Sequence, residues 1–342
     1  MFKRSWRTLN NHMEKSSLDT AKAGAMRFNT DSSQMEIYDG NQWTGILATS
    51  PEQQTGGTRG MQFGGNAPTY TNNFFNIATT GNATSFGSFA SSRYFCSALA
   101  SRTRAVVDSG EGNMTNREFF TIASGGGGTS FGSCYNHRSA TAFASATRGV
   151  FGGGNDFSTY GLNTIEFVTI ASAGSGVDYG DLPLKANGIG GLSDQTRGIF
   201  CGQYNPYTAK SQYLTIAVGG LAAEFGDLTQ HTRFQGTCSN GTRGVNGGGN
   251  TQTSPNKTNS IDICTIQTLG DFTDFGDLTS VRSILSAASS PTRAVFFGGE
   301  TPSKVNTMDY VQFASRGDAM DFGDLTGSYY TSGGTSNGHG GL

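Results

Sequence analysis

The sequence predicts an all-β chain: a six-bladed β-propeller with four-stranded blades closed by the C-terminal strand, preceded by a short β-hairpin N-terminal module. Three observations predict it. The dipeptide Thr-Arg recurs with its arginine at Arg59, Arg104, Arg148, Arg197, Arg243 and Arg293, at spacings of 45, 44, 49, 46 and 50. A second marker, an aromatic followed by Gly, recurs at Phe86, Phe131, Tyr179, Phe225, Phe275 and Phe322, at spacings of 45, 48, 46, 50 and 47. Finally, residues 325–338 (LTGSYYTSGGTSNG) align without a gap with residues 228–241 (LTQHTRFQGTCSNG), and stop where a Thr-Arg strand would begin. Self-similarity at about 45–50 residues has the length of a propeller blade.

Each unit reads as four short strands. In the third unit these are 141–144, then 147–152 (TRGVFG), then 165–171 (IEFVTIA), then a short piece around 178–182 (DYGDL). The residue after each arginine is Gly or Ala, and the next is Met61, Val106, Val150, Ile199, Val245 or Val295. Alternation puts the arginine and that apolar residue on one face, with the small residue on the other. Farther on, Ile77, Ile122, Ile170, Ile216, Ile266 and Phe313 share one position, and β-branched residues suit a pleated, half-buried surface. The unit opening at Thr58 lacks a first strand of its own, so residues near Tyr329 to Asn337 are expected to complete it and cover the open edge. An open solenoid is the competing arrangement, but it needs capping units at both ends.

Three segments follow: 1–46, an N-terminal attachment or oligomerisation segment; 47–57, a linker containing Pro51 and Gly56-Gly57; and 58–342, the propeller. Within the first, Met26, Phe28, Met35, Ile37 and Trp43 lie on a hairpin and a third strand, with Asp39-Gly40 as the turn. Three such strands cannot bury themselves alone. They need a partner, the propeller or copies of themselves. Lys3, Arg4, Arg7, Lys15 and Lys22 make the first 22 residues either an anchoring peptide or a solvated tail.

Composition narrows the function. The chain has 51 Gly, 7 Pro, 14% charged residues and a formal net charge of −2. No basic field points to nucleic acid, and no apolar run reaches the about 20 residues of a membrane-spanning helix. No apolar core of signal-peptide length follows the start, which points to a soluble protein not exported by the conventional route. Five cysteines without a CxxC read as reduced, mostly buried thiols. The histidines His12, His137, His231 and His339 show no metal-ligand spacing. There is no GxSxG and no P-loop, and the run 125–128 of four glycines reads as a turn. Catalytic residues, cofactors and metals are therefore not expected. Asp181, Asp227, Asp277 and Asp324 with the six arginines suggest a structural Arg–Asp ladder between blades. A calcium site at Asp271, Asp274 and Asp277 is the alternative use of the carboxylates. The loops between second and third strands vary in length and fall by topology on one rim. Their tyrosines Tyr70, Tyr160, Tyr204 and Tyr207 are the candidate binding residues, able to stack on a sugar or an apolar patch.

Two resemblances follow from these residues. The strands 150–154 (VFGGG) and 295–299 (VFFGG) resemble the double-glycine strand of kelch-type propellers, although the kelch tryptophan is missing. The unit TRGVFGGG…FVTIAS…DFGDLT is similar to repeats in structural proteins of marine and cyanobacterial tailed phages. Gly24, Arg27, Phe28, Asn29, Tyr38, Asp39, Gly40 and Trp43 match a short module of phage tail fibres that commonly sits near a trimeric stem. The resemblance implies a non-enzymatic virion protein, assembled in the host cytoplasm as a homotrimer. Its N-terminal segment would attach to other virion proteins, and its rim would bind a host surface glycan or protein. A capsid or tail decoration protein is the second reading, and a kelch-like scaffold or enzyme the third.

Overall fold

The computed structural model describes residues 21–30, 34–45, 57–65, 71–91, 93–111, 115–202, 207–252, 254 and 256–338. They form 27 strands and no helix, in two compact units, one within residues 1–53 and one from 54 onward.

The first unit is an antiparallel sheet of Met26–Asn29, Gln34–Tyr38 and Trp43–Gly45. Asp39 shapes its second turn by accepting from the N–H groups of Asn41 and Gln42, both at 2.7 Å. Met26 stands opposite Ile37 and Phe28 opposite Met35, so these four apolar side chains share one face, and all four are exposed. Trp43 pairs with Tyr38 and lies on the other face. There the Arg27 guanidinium covers its ring at 4.3 Å and pairs with Glu36 at 2.9 Å. The expected set of five is thus split: four residues make an apolar face, and Trp43 belongs to a polar one.

The second unit holds six four-stranded antiparallel sheets, each in the order first to fourth strand. We number them by their second strands, which are Arg59–Phe63, Arg104–Val107, Arg148–Gly152, Arg197–Cys201, Arg243–Gly247 and Arg293–Phe297. Their first strands are Gly333–Ser336, Ala98–Ala100, Thr141–Ala144, Gly190–Ser193, Gly236–Ser239 and Ser286–Ser289. The third are Thr71–Asn76, Asn116–Thr121, Leu162–Thr169, Lys210–Thr215, Ser260–Thr265 and Thr307–Gln312. The fourth are Thr84–Ser88, Thr129–Ser133, Val177–Ala186, Ala223–Asp227, Thr273–Asp277 and Met320–Asp324. Sheets of this make-up are compatible with propeller-like blades. Sheet 1 takes its first strand from the far end of the chain: Gly333–Ser336 pairs with Gly60–Phe63.

The recurring residues have packing roles. Met61, Val106, Val150, Ile199, Val245 and Val295 are all fully buried, and so are the aliphatic or aromatic residues that follow each third strand, from Ile77 to Phe313. The FG aromatics fill the space between consecutive sheets. Phe86 packs with Met61 and Phe63 of its own sheet and Phe120 and Ile122 of sheet 2. Phe322 does the same between sheet 6 and sheet 1, among Val295, Tyr310, Phe75 and Ile77. Tyr179 is only half-buried, because its hydroxyl reaches out to donate to the Ile216 carbonyl at 2.6 Å. Burying each ring contributes about 1.5–3 kcal/mol.

The glycine of the FG pair has its own reason. At φ +144° Gly87 lies in a region that side chains avoid, and a Cβ there would overlap the Gly126 carbonyl of sheet 2. That close approach lets Gly126 N–H donate to Phe86 O at 3.0 Å and Gly128 N–H donate to Ser88 O at 3.0 Å. The same pair of bonds joins every consecutive sheet, including Gly81 N–H to Phe322 O at 2.8 Å, from sheet 1 to sheet 6. Gly87→Ala is expected to cost about 2–5 kcal/mol, strain plus overlap. Gly126→Ala, at φ +107° with nothing within 4 Å of the new Cβ, should cost about 1–2 kcal/mol from the backbone alone. Urea denaturation of both checks the ranking.

The six arginines that open the second strands do not form a ladder with Asp181, Asp227, Asp277 and Asp324. Each reaches instead into the next sheet and donates to main-chain carbonyls just past its third strand. Arg104 bonds Ile170 O at 3.0 Å and Ala171 O at 2.7 Å, Arg197 bonds Ile266 O at 2.9 Å, and Arg293 bonds Ala78 O at 2.9 Å. A strand end leaves carbonyls without a ladder partner, and a five-donor guanidinium satisfies two at once. The planar group then lies over an aromatic of its own third strand. Arg59 lies over Phe74, Arg104 over Phe119, Arg148 over Phe167, Arg197 over Tyr213 and Arg293 over Tyr310, at 4.2–4.7 Å.

Candidate binding face

The connection from each fourth strand to the next first strand carries one residue at positive φ: Phe95, Ser139, Gly188, Phe234, Ile284 and Thr331. Five of the six are not glycine, a strained choice that neighbouring structure must hold. What holds it is a circuit of main-chain bonds. Ser139 N–H donates to Phe95 O, Gly188 to Ser139, Phe234 to Gly188, Ile284 to Phe234, Thr331 to Ile284, and Phe95 to Thr331, at 2.6–3.2 Å. These residues line the mouth of a small cavity of about 80 Å³. Behind it lies a second of about 100 Å³, lined by the first strands with Thr141, Thr237 and Ser286 among the polar groups. Both are too small for a sugar ring and have the size of a few waters.

Described residues of four of the loops between second and third strands flank this mouth. Glu111 bridges Tyr94, Asn155 bridges Arg138, Asn250 bridges Arg233 and Glu300 bridges Ser283, which sets each loop against the connection ahead of the mouth. Charged pairs tie neighbouring loops together. Arg138 contacts Glu111 of sheet 2 and donates to Asn155 Oδ1 of sheet 3 at 2.9 Å, and Lys257 pairs with Glu300 at 2.8 Å.

Of the predicted binding residues, Tyr160 is 75% and Tyr207 42% exposed. Tyr70 and Tyr204 lie outside the described residues. Tyr207 rests edge-on against His231 at 5.1 Å between centroids, so its ring is partly spent on packing. Tyr160 stands in a preformed loop. Asp156 Oδ1 accepts from Ser158 N–H at 3.1 Å, Ser158 Oγ at 2.9 Å and Thr159 N–H at 2.7 Å. Those bonds, the Ser158 side chain first, hold the Asp156 carboxyl below its ordinary value. The turn also presents Phe157, 59% exposed at φ +68°, with the Arg138 guanidinium over its ring at 4.0 Å. Sequence reasoning passed over Phe157. The signal was the Asx-turn string Asp-Phe-Ser-Thr, which fixes the loop and leaves its aromatic no core to enter.

The proposed calcium carboxylates do not converge. Asp271 Oδ1 accepts the Asp227 N–H at 2.9 Å. Among the described residues the one group that brings three metal-ligating atoms together is Asp108, Cys134 and His137. It is a poor cation site. Arg117 already occupies Asp108 Oδ1 at 2.8 Å and Glu166 Oε2 at 2.7 Å, while His137 Nε2 holds Asp108 Oδ2 at 2.7 Å. Burial pushes the Cys134 thiol up to about 12, which leaves it protonated and unreactive. The other four cysteines are buried and free, and burial raises the thiols of Cys96 and Cys264 to about 11 and about 12. This buried network is particular to sheets 2 and 3. Asp108 stands where the other repeats have Phe63, Gly152, Cys201, Gly247 and Phe297. Compared with known proteins, the chain matches no family model and no curated protein.

Proposed function

We propose that the six sheets are the blades of one closed six-bladed propeller, and that it serves as the receptor-binding or adhesive head of a tail-fibre protein of a tailed phage. Closure is supported by the circuit of six main-chain bonds, which returns to the residue it starts from. It is supported again by six apolar clusters for six sheets, the last joining sheet 6 to sheet 1. The observation that carries the functional reading is the division of labour in the repeat. What recurs is spent on packing and on joining sheets, while the variable loops display a tied rim with the preformed pair Phe157 and Tyr160. Rigid exposed aromatics with polar neighbours suit recognition of a host glycan or protein at low entropic cost. The apolar face of Met26, Phe28, Met35 and Ile37 is read as the contact among three copies, near the point of attachment to other virion proteins.

One experiment with two arms tests this. Purified full-length chain should adsorb to host cells and compete with virion adsorption, and the pair Phe157→Ser and Tyr160→Ala should cut that adsorption at least tenfold. By sedimentation the chain should be a trimer that Phe28→Asp with Ile37→Asp turns into a monomer. Binding to virions lacking the protein, with none to cells, would favour a capsid or tail decoration protein instead. A wild-type chain that stays monomeric would remove the stem role.

A further inference from the structure

Sheet 5 breaks the rule of the stacked arginines. Its third strand carries Ile263 where the others carry Phe74, Phe119, Phe167, Tyr213 and Tyr310. Arg243 still donates to the Phe313 carbonyl at 2.7 Å, so its guanidinium holds the station its five counterparts hold. Among the described residues, however, no ring covers it, and Arg243 alone of the six is exposed rather than half-buried. Above Ile263 lies a groove of about 350 Å³, larger than either axial cavity. Its floor is Ile263 and its walls are Leu269, Asp271 and, from sheet 6, Arg316, which donates to Thr273 Oγ1 at 2.9 Å across the groove. Leu269 is 54% exposed beside it.

We propose that this groove binds an aromatic ring carrying a carboxylate. The molecule displays the bound state five times over, a ring face-on to a fixed guanidinium. In sheet 5 the isoleucine is too short to supply that ring, so the planar cation and the apolar floor remain unused. The volume falls in the range of small-ligand sites. Stacking on Arg243 is favoured by the ring's quadrupole. Arg243 and Arg316 against the one carboxylate of Asp271 leave the groove net positive, which selects an acidic substituent. The ligand is either a free aryl carboxylate or a Phe or Tyr side chain next to an acidic residue. This reading is independent of the rim and of any virion role.

The test is a calorimetric titration of the full chain with 4-hydroxyphenylacetate, with a capped Asp-Tyr dipeptide and with cyclohexylacetate. At least one aromatic probe should bind, and which one is tighter identifies the source. Cyclohexylacetate should bind about threefold or more weakly than 4-hydroxyphenylacetate. Arg243→Lys keeps the charge but loses the plane, and should weaken the aromatic probe by about threefold or more. Ile263→Phe supplies the missing ring from within and should reduce binding at least tenfold while leaving the thermal midpoint equal or higher. Were that variant to misfold, Arg243→Lys and the cyclohexyl comparison would still decide. Failure of both aromatic probes, equal binding of the cyclohexyl acid, or binding indifferent to Arg243→Lys overturns the proposal.

Discussion

A chain ending at Ser332 should lose cooperative folding and collect as aggregate at 25 °C, the largest effect expected of any change to this protein. The strand removed, Gly333–Ser336, is the first strand of sheet 1, and its ladder partner Gly60–Phe63 lies 270 residues earlier in the chain. Little apolar surface is lost, since the strand reads Gly-Gly-Thr-Ser. What is lost is pairing. Ser336 Oγ donates to Ser289 O at 2.5 Å, in a run continued by Ser289 to Ser239 O at 2.6 Å and Ser239 to Ser193 O at 2.5 Å. Asn337 Oδ1 accepts the Arg59 N–H at 3.0 Å. In five other turns that service is local, from Ser101, Ser145, Asp194, Asn240 or Ser290 to the arginine three residues on. Each buried main-chain group left without a partner costs about 1–3 kcal/mol. A handful of them equals the about 5–15 kcal/mol that typically holds a domain together. The uncovered edge of Arg59–Phe63 would also template pairing with other chains. A peptide of residues 328–342 added in trans should restore solubility by adding the missing strand. Size-exclusion chromatography and a thermal melt of the truncated chain, with and without peptide, decide the matter. An unchanged melting midpoint would mean the fold does not depend on this strand.

That pairing was legible because the repeat is covalent as well as structural. Residues in phase with one another must play one role, so an end that matches a first strand must go where a first strand is missing. The same logic located the buried Met61-to-Val295 positions and the FG aromatics. It failed where chemistry, rather than position, had to be guessed. Arg and Asp in the same repeat invited an ion-pair ladder. Yet a carbonyl leaves no mark in a sequence, and the arginines serve the carbonyls of Ile170, Ile266 and their counterparts. The buried charges were missed for a related reason. His137 shows no ligand spacing, but two residues before the positive-φ position it shares its place with Arg93 and Arg282, each of which pairs with a third-strand carboxylate, Glu118 and Asp309. Departures from phase, such as Asp108, Arg117 and Ile263, were the informative residues. They become conspicuous only once the common residues have been explained.

Two of the buried carboxylates should show opposite pH behaviour when neutralised. Asp108 is fully buried, and burial alone would raise its carboxyl, but the Arg117 guanidinium and His137 outweigh it and hold it well below the ordinary 3.8. A depressed folded value means the carboxylate contributes stability that is fully present above the unfolded value and is lost as pH falls through the folded one. Asp108→Asn should therefore cost about 3–5 kcal/mol near pH 7, since it strips charge from one side of a buried pair. That cost should shrink steadily below about pH 4. Asp262 sits at the third-strand place that Glu118 and Asp309 hold, but its partners are the Thr229 hydroxyl at 2.6 Å and the Thr229 N–H at 3.1 Å, not a cation. Where sheet 6 has Arg282, sheet 5 has Thr232. Burial raises the Asp262 carboxyl, and the Thr229 bonds only partly offset it. A raised folded value has the reverse consequence: the stability is present below the unfolded value and lost as pH rises through the folded one. Asp262→Asn keeps an acceptor for the Thr229 hydroxyl and removes the charge, so its stability relative to wild type should improve as pH climbs from about 3 to 7. Urea denaturation of the two variants and the wild type across that interval gives two difference curves of opposite slope. A flat curve for Asp262→Asn would mean that Asp262 carries no net penalty for its burial, and a curve parallel to that of Asp108→Asn that its carboxylate is stabilised without the arginine.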